Sequence, residues 1–294
     1  MLSILIPTYN YNTFPLVEEL KKQADLLFIN YEILVQDDGS HLFSIENSKI
    51  NNLDNCSFDI NKKNLGRTTN RNILAKKAKY DLLLFLDADV IPNKSNFISL
   101  YLEQAFAKEQ VIFGGYIYSD KKPDSSIILR YKYGKEREEK KASIRNLKPY
   151  SNVLSGNMLI NKQVFFECNF NSEENLYGMD IYFGYQLFIK KIPIIHIDNP
   201  IIHQGLEINI VFFKKALESV ESRKTHLVNK NGIEEINPLL KHYKKIDNLK
   251  LTKIVSILFI LFKKQLEKKI VNINPNLFYF DLYRLGYICY LKSK

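Results

Sequence analysis

Residues 81–90 read DLLLFLDADV, and the fold turns on them. Leu82 to Leu86 is an unbroken apolar run, one strand long and too short for a membrane span. A run buried on both faces is the mark of a central parallel strand. Its character changes at once: Asp87 and Asp89 bracket the small Ala88, and Pro92 follows. Two carboxylates at the mouth of a buried strand repel each other and lose water. A divalent cation is the usual remedy. The carboxyl end of a strand in an open α/β sheet is also where ligands sit. A solvated turn is the plainer reading of the same two acids.

The flanking segments repeat this grammar. Leu2 to Ile6 is a short apolar strand that Pro7 is expected to end, with Thr8, Tyr9 and Asn10 turning after it. Pro15 to Phe28 has helical spacing of Leu16, Leu20, Ala24 and Leu27. Tyr31 to Val35 is a second strand, running into Asp37, Asp38, Gly39 and Ser40. His41 to Asn55 reads as a helix and Phe58 to Ile60 as a strand. A further helix follows Gly66, capped by Thr68 or Thr69. Arg67 and Arg71 share a face if that helix covers both. Strand, helix, strand, helix, strand signals a largely parallel sheet with helices packed on it.

Beyond the organising strand, Phe97 to Ala107 reads as a helix and Val111 to Tyr118 as a strand containing Gly114 and Gly115. Arg130 to Lys148 carries 8 basic and 3 acidic residues, so it is either a lid-like segment or a solvated helix face. Val153 to Ile160 holds Ser155, Gly156 and Asn157 inside an apolar run, where the glycine permits close approach or a bulge. Asp180 follows Gly178 and heads an apolar helical run, as a cap or as something more. Ile192 to Ile197 and Ile201 to His203 are strands. His196 and His203 each read first as a buried, hydrogen-bonded imidazole or as surface.

Charge divides the chain. Residues 205–294 hold 17 Lys and Arg against 8 Asp and Glu, so most of the net +10 lies in a helical tail and the body is near neutral. Such a tail suits anionic lipid, nucleic acid or plain water. Ile254 to Phe262 is nine residues between lysines, all apolar but Ser256. A helix of that length rises about 13 Å, short of a hydrocarbon core of about 30 Å. It lies in a membrane interface or packs as a buried helix. Cys56, Cys168 and Cys289 are far apart, with no C-x-x-C pair, and read as reduced cytosolic thiols. The opening MLSILIPTYN reads as a strand rather than a signal peptide.

Several classes are excluded by what is missing. PTYNYNTF stands where a dinucleotide fold needs G-x-G-x-x-G, and neither a P-loop nor H-E-x-x-H occurs. A haloacid-dehalogenase-like phosphatase needs a threonine where Ile91 stands. Nucleic-acid binding has only the basic tail and no recognisable module. Carboxylates gathered around a cation, opposite a phosphate-bearing donor, suit metal-assisted transfer, with one separate acid acting as base on an incoming hydroxyl.

SILIPTYN at 3–10, VQDDGS at 35–40, NLGRTTNRN at 64–72, LLFLDADV at 83–90, SGNMLI at 155–160, YGMD at 177–180 and IIHQG at 201–205 occur in one order. Together they resemble the family 2 glycosyltransferases of GT-A fold, of non-processive bacterial type. The resemblance implies an α/β fold with a mostly parallel twisted sheet flanked by helices. It implies a catalytic domain over residues 1–205 and a basic, helical extension over 206–294. It further implies inverting transfer of a single sugar from a nucleotide-diphosphate sugar, with UDP-sugar favoured, to a glycan or lipid-linked hydroxyl, in surface polysaccharide synthesis. Pro7, Thr8, Tyr9, Asp37 and Asp38 would cradle the base, Arg71 would lie near base and phosphates, and Asp87 would touch the ribose. Asp89 and His203 would hold Mn²⁺ or Mg²⁺. Asp180 would be the catalytic base, with Glu173 and Glu174 as the next acids. The chain lacks the Q-x-x-R-W motif of processive members and has no tryptophan. A cytoplasmic place is expected, with peripheral contact to anionic membrane as one use of the tail. A non-catalytic scaffold, or a nucleotide-sugar-binding module of the same fold, is the alternative.

Overall fold

The computed structural model describes residues 1–105, 110–121, 123–170 and 177–291. The chain forms two compact units that interleave along the sequence. The first comprises Met1–Ile117, Lys140–Asn175 and Gln186–Gly205; the second comprises Tyr118–Glu139, Leu176–Tyr185 and Leu206–Lys294. The sequence reading cuts the chain once, at residue 205, whereas the compact units exchange chain four times before that point.

The first unit is built on a seven-stranded sheet. Its strands are β1 (Leu2–Thr8), β2 (Tyr31–Asp37), β3 (Cys56–Ile60), β4 (Leu82–Leu86), β6 (Val111–Phe113), β8 (Asn157–Asn161) and β9 (Ile194–His196). β5 (Val90–Pro92), β7 (Tyr116–Ile117) and β10 (Ile201–His203) make a second, three-stranded sheet in the order β5-β10-β7. The large sheet runs β3-β2-β1-β4-β8-β6-β9. β3, β2, β1 and β4 are parallel, and β8 is antiparallel to both β4 and β6. Leu83 to Leu86 are fully buried, as the apolar run requires, and the Phe85 ring stacks on Phe165 at 4.7 Å.

Several expected boundaries move, each for a local reason. β1 runs through Pro7 to Thr8, because its pairing with β4 is finished at Leu5 and the missing N–H of proline breaks no ladder there. The helix expected over 41–55 is only Ser44–Ser48 and a 3₁₀ turn at Lys49–Asn52. The next helix is Arg67–Lys77, and Gly66, not a threonine, stands at its cap. It therefore covers both Arg67 and Arg71. The helix from Phe97 ends at Leu102, and residues 106 and 107 of the expected one lie outside the described residues. The strand expected over 111–118 breaks at Gly114–Gly115, where the chain leaves the large sheet for the small one.

The charged stretch 130–148 is largely helical, at Ile128–Tyr133, Gly134–Glu138 and Ala142–Asn146, and most of its charged residues are exposed or half-buried, as the helix reading has it. Two of its arginines are buried. In the first unit Arg145, 2% exposed, donates to the carbonyls of Phe113, Gly114, Ile197 and Lys140. Its Nη1 also lies 2.9 Å from His196 Nδ1, and His196 Nε2 lies 3.0 Å from the Pro149 carbonyl. His196 is the buried, hydrogen-bonded imidazole of its first reading. It ties the end of β9 to the segment below it.

The second unit is helical: Ile128–Tyr133, Asn209–His226, Ile233–Ile236, Pro238–Asn248, Thr252–Ile270 and Leu277–Tyr290. Its core is aromatic, with Phe212, Phe213, Phe259, Phe280 and Tyr283 around Leu129, Ile270 and Leu277. Buried Arg130 pairs with Glu138 at 3.0 Å inside the unit. Only one side of Thr252–Ile270 is covered. Phe259 is 5% exposed, while Ile254, Ile257, Leu261 and Phe262 are 52–62% exposed. No helix among the described residues is long and apolar enough to cross a membrane.

Candidate active site

Register alone brings the expected acids of the first unit to one edge. Thr8 sits opposite Asp37 across β1 and β2, and β4 ends two strands away at Leu86, with Asp87 next. The Asp38 N–H donates to the Thr8 carbonyl at 2.9 Å. Asp38 is then committed on both oxygens. Oδ1 accepts from Leu65 N–H and Asn61 Nδ2, and Oδ2 accepts from Gly66 N–H at 2.8 Å. It holds the loop that leads into the Arg67 helix. Asp37 is fully buried; its Oδ1 accepts from Ser40 N–H, and its Oδ2 meets no donor among the described residues. Tyr9 is 49% exposed beside this edge, and Asn10 ties its loop to His41 and Leu42.

Asp87 is held by partners from three remote segments. Arg67 Nη2 donates to Oδ1 at 2.7 Å and the Tyr116 hydroxyl donates to Oδ2 at 3.1 Å. Its N–H donates to the Gly156 carbonyl at 3.0 Å. Gly156 must be glycine, since a Cβ there would collide with the Asp87 carboxylate and the Tyr116 hydroxyl. Burial alone would raise the Asp87 pKa; the guanidinium of Arg67, then that of Arg71, outweighs burial and holds it at about 2.

Arg71 is not the arginine that reaches out. It is 4% exposed, donates to the Ser155 side chain at 2.6 Å and to the Ser155 carbonyl at 2.7 Å, and lies over the Phe85 ring at 4.3 Å. Arg67, one helical turn earlier, has a side chain 40% exposed and makes the Asp87 contact.

Asp89 and His203 are brought together by the small sheet, whose register sets Val90 against His203. His203 Nε2 lies 3.6 Å from Asp89 Oδ2. The N–H groups of Gln204 and Gly205 close on the Asp89 carbonyl, and a Cβ at Gly205 would strike the Asp89 carboxylate. Neighbouring ligands on an octahedral ion at about 2.1 Å lie about 3 Å apart and opposite ones about 4 Å. The 3.6 Å separation is about 0.6 Å beyond the neighbouring spacing, which a small side-chain rotation would close. Among the described residues no group of three or more metal-ligating side chains occurs. This pair therefore fits an ion whose remaining ligands are water and the oxygens of a phosphate-bearing substrate.

Asp180 belongs to the second unit. It is half-buried in the first turn of Asp180–Ile189, after Gly178, whose φ is +82°. Glu173 and Glu174 lie outside the described residues. The structure thus gathers Thr8, Tyr9, Asp37, Asp38, Asp87, Asp89 and His203 within one unit, and turns Arg71 inward. Arg67 and Tyr116 were not singled out for the site in the sequence. Arg67 carried a faint signal, four residues before Arg71; Tyr116 carried none.

The profile of the family described as glycosyl transferase family 2 matches residues 3–170. That is more than half of the chain, and it takes in every acid of the edge from Asp37 to Asp89. The chain belongs to glycosyl transferase family 2, a family of enzymes. A search of curated proteins finds no match. Among solved structures, a mannosyltransferase from Pyrobaculum calidifontis in complex with GDP-Man and Mn²⁺ is similar at 12% identity, over 82% of this chain and 68% of that one, with a TM-score of 0.56. Glucosyl-3-phosphoglycerate synthase from Mycobacterium tuberculosis, in complex with Mn²⁺, UDP and glucosyl-3-phosphoglycerate, is similar at 13% identity, over 76% and 78%, with a TM-score of 0.51. TarS of S. aureus matches at 16% identity over 80% of this chain with a TM-score of 0.47, and the chain spans only 42% of it. At such identities the first two likenesses establish the fold alone, which is of GT-A type.

Proposed function

We propose that this protein transfers a single sugar, with inversion, from a nucleotide-diphosphate sugar to a hydroxyl of a glycan or lipid-linked acceptor, with a divalent ion bound. The observation that carries the reading is the apposition of Asp89 and His203 at 3.6 Å, on the edge where β1, β2 and β4 end. UDP-sugar is the favoured donor, and surface polysaccharide the setting. Two of these neighbours hold Mn²⁺ beside GDP-Man or UDP, which supports a metal and a nucleotide at this edge.

On this reading residues 1–205 form the catalytic domain and 206–294 the extension. Pro7, Thr8 and Tyr9 wall the base, with the open Oδ2 of Asp37 as its acceptor, while Asp38 keeps the 61–66 loop in place. Asp87, ionised and oriented by Arg67 and Tyr116, accepts from the ribose. Asp89 and His203 hold Mn²⁺ or Mg²⁺, which would neutralise charge on the departing diphosphate. Asp180 takes the proton of the acceptor hydroxyl as its oxygen bonds to the anomeric carbon and the sugar–phosphate bond breaks. The half-exposed apolar side of Thr252–Ile270, with Lys250, Lys253, Lys263 and Lys264 about it, supports peripheral contact with the anionic inner face of the cell membrane.

The test is nucleotide release from a panel of nucleotide sugars, with and without Mn²⁺ or Mg²⁺. Wild type should turn over only with the ion. Asp89→Ala should lose metal-dependent donor binding and about 10²-fold or more of turnover. Full turnover in chelator would retire the metal, and no hydrolysis or transfer with any donor would favour the non-catalytic scaffold.

A further inference from the structure

Arg71, expected near base and phosphates, is 4% exposed on the second turn of Arg67–Lys77. A guanidinium out of water is costly unless its donors and its charge are well placed. Two donors of Arg71 go to a single residue. Nη1 donates to Ser155 Oγ at 2.6 Å and Nη2 to the Ser155 carbonyl at 2.7 Å. The group lies over the Phe85 ring at 4.3 Å, and Phe85 in turn stacks on Phe165. A rigid fork with a ring beneath it has little freedom to move.

Both anchors border Asp87. Phe85 stands two residues before it on β4. Ser155 precedes Gly156, whose carbonyl accepts from the Asp87 N–H at 3.0 Å. The ladder of β4 with β8 ends at Leu86 opposite Asn157, so the Asp87–Gly156 bond is a last rung just beyond both strands. Last rungs open readily. Opening this one would pull Ser155 from Arg71 and leave a buried charge without its acceptors. Gly156 is also packed on the Asp87 carboxylate. A Cβ there would stand 1.9 Å from Asp87 Oδ2 and 2.0 Å from the Tyr116 hydroxyl. A shift of residues 155 and 156 is therefore passed directly to the Asp87 side chain.

We propose that Arg71 is a positioning residue for Asp87. By holding Ser155 and Gly156 against the end of β4, it aims the Asp87 carboxylate at a ribose hydroxyl of the donor. It does not itself touch the nucleotide. The aim at ribose rests on the donor reading given above, while the hold on Asp87 stands on the contacts alone.

Full-length wild type, Arg71→Lys and Ser155→Ala are compared. Lysine keeps the charge but lacks the planar fork that meets both Ser155 oxygens. Amide hydrogen exchange is read at Asp87 and at Leu84, which lies inside both ladders of β4. The ratio of the Asp87 rate to the Leu84 rate should rise about tenfold in Arg71→Lys. An arginine that only stabilises the fold would speed both amides alike, and an unchanged ratio overturns the proposal. UDP and GDP, each with its 2′-deoxy and 3′-deoxy form, are then titrated in Mn²⁺. The ribonucleotide that wild type binds should weaken about tenfold in Arg71→Lys. The deoxy form that wild type binds more weakly lacks the hydroxyl that Asp87 accepts. On that form wild type and Arg71→Lys should agree within about twofold. A tenfold loss on every form would mean that Arg71 touches base or phosphate itself, and overturns the positioning role. Should wild type bind neither UDP nor GDP, the donor reading falls, and the exchange ratio still decides whether Arg71 holds Asp87. Should Arg71→Lys fail to fold, Ser155→Ala, which removes one of the two acceptors, takes its place with a rise in the ratio of about threefold.

Discussion

Replacing His196 with glutamine should flatten the acid limb of this protein's stability curve. The imidazole is 2% exposed, and its Nδ1 faces Arg145 Nη1 at 2.9 Å, so Nδ1 accepts and Nε2 donates to the Pro149 carbonyl. A second proton would have to sit on Nδ1, pointing at a guanidinium. Burial first, with Arg145 adding and the Pro149 hydrogen bond opposing, lowers the pKa from 6.5 to about 4. The unfolded chain therefore binds a proton that the folded chain refuses. Stability is complete above pH 6.5 and is lost as pH falls through about 4. At 1.36 kcal/mol per unit the loss comes to about 3 kcal/mol across that window. Urea unfolding of wild type and His196→Gln at half-unit steps from pH 7 to 4 measures it. The variant will be weaker throughout, because Arg145 loses an acceptor, but the slope is what counts. Wild type should lose stability more steeply by close to 1.4 kcal/mol per unit inside the window. Parallel curves would refute the argument and show that the folded protein protonates His196 freely.

Other outcomes follow from the site. Gly156→Ala should displace Asp87 or the Tyr116 hydroxyl, costing about 1–3 kcal/mol in melting experiments and, for a shift near 1 Å, about 10²-fold in turnover. Asp180→Asn should lower turnover about 10² to 10⁴-fold with donor affinity unchanged; calorimetry showing lost donor binding would make Asp180 a donor-site residue. The double change Ile257→Glu and Leu261→Glu should abolish flotation with anionic vesicles while moving stability by only about 0.5 kcal/mol per site, because both side chains are exposed; undiminished flotation would retire the membrane contact.

The legible part of the chain was the part with one dominant force. Leu82–Leu86 could be nothing but a buried strand, and the acids that follow it lie where chain direction puts them. Asp89 with His203 was legible only through the family resemblance, because 114 positions separate them and register alone joins them. The charged stretch misled at two positions, for a physical reason. Composition counts Arg130 and Arg145 as solvated, whereas Glu138 neutralises one and a ring of carbonyls surrounds the other. Gly66 took the cap from Thr68 and Thr69 because its backbone, at φ +87°, turns the chain into the helix with no side chain needed. Arg71, placed near base and phosphates by the resemblance, is buried, and Ser155 and the Phe85 ring hold it.

β8 has a consequence for the order in which the site comes into being. It is the antiparallel strand beside β4, so Gly156, the residue just before it, abuts Asp87, the residue that follows β4. Gly205 closes on Asp89 in the same manner. Both acids leave the ribosome early, and each waits for a glycine made much later, the second about 116 residues on. A nascent chain of 150 residues holds the four parallel strands, both carboxylates, Arg67 and Tyr116, but lacks Gly156, His203 and Gly205. Such long-range closures form late in folding. Donor binding should therefore appear abruptly once the chain passes residue 205, and fragments that stop short of it should have a sheet but no site.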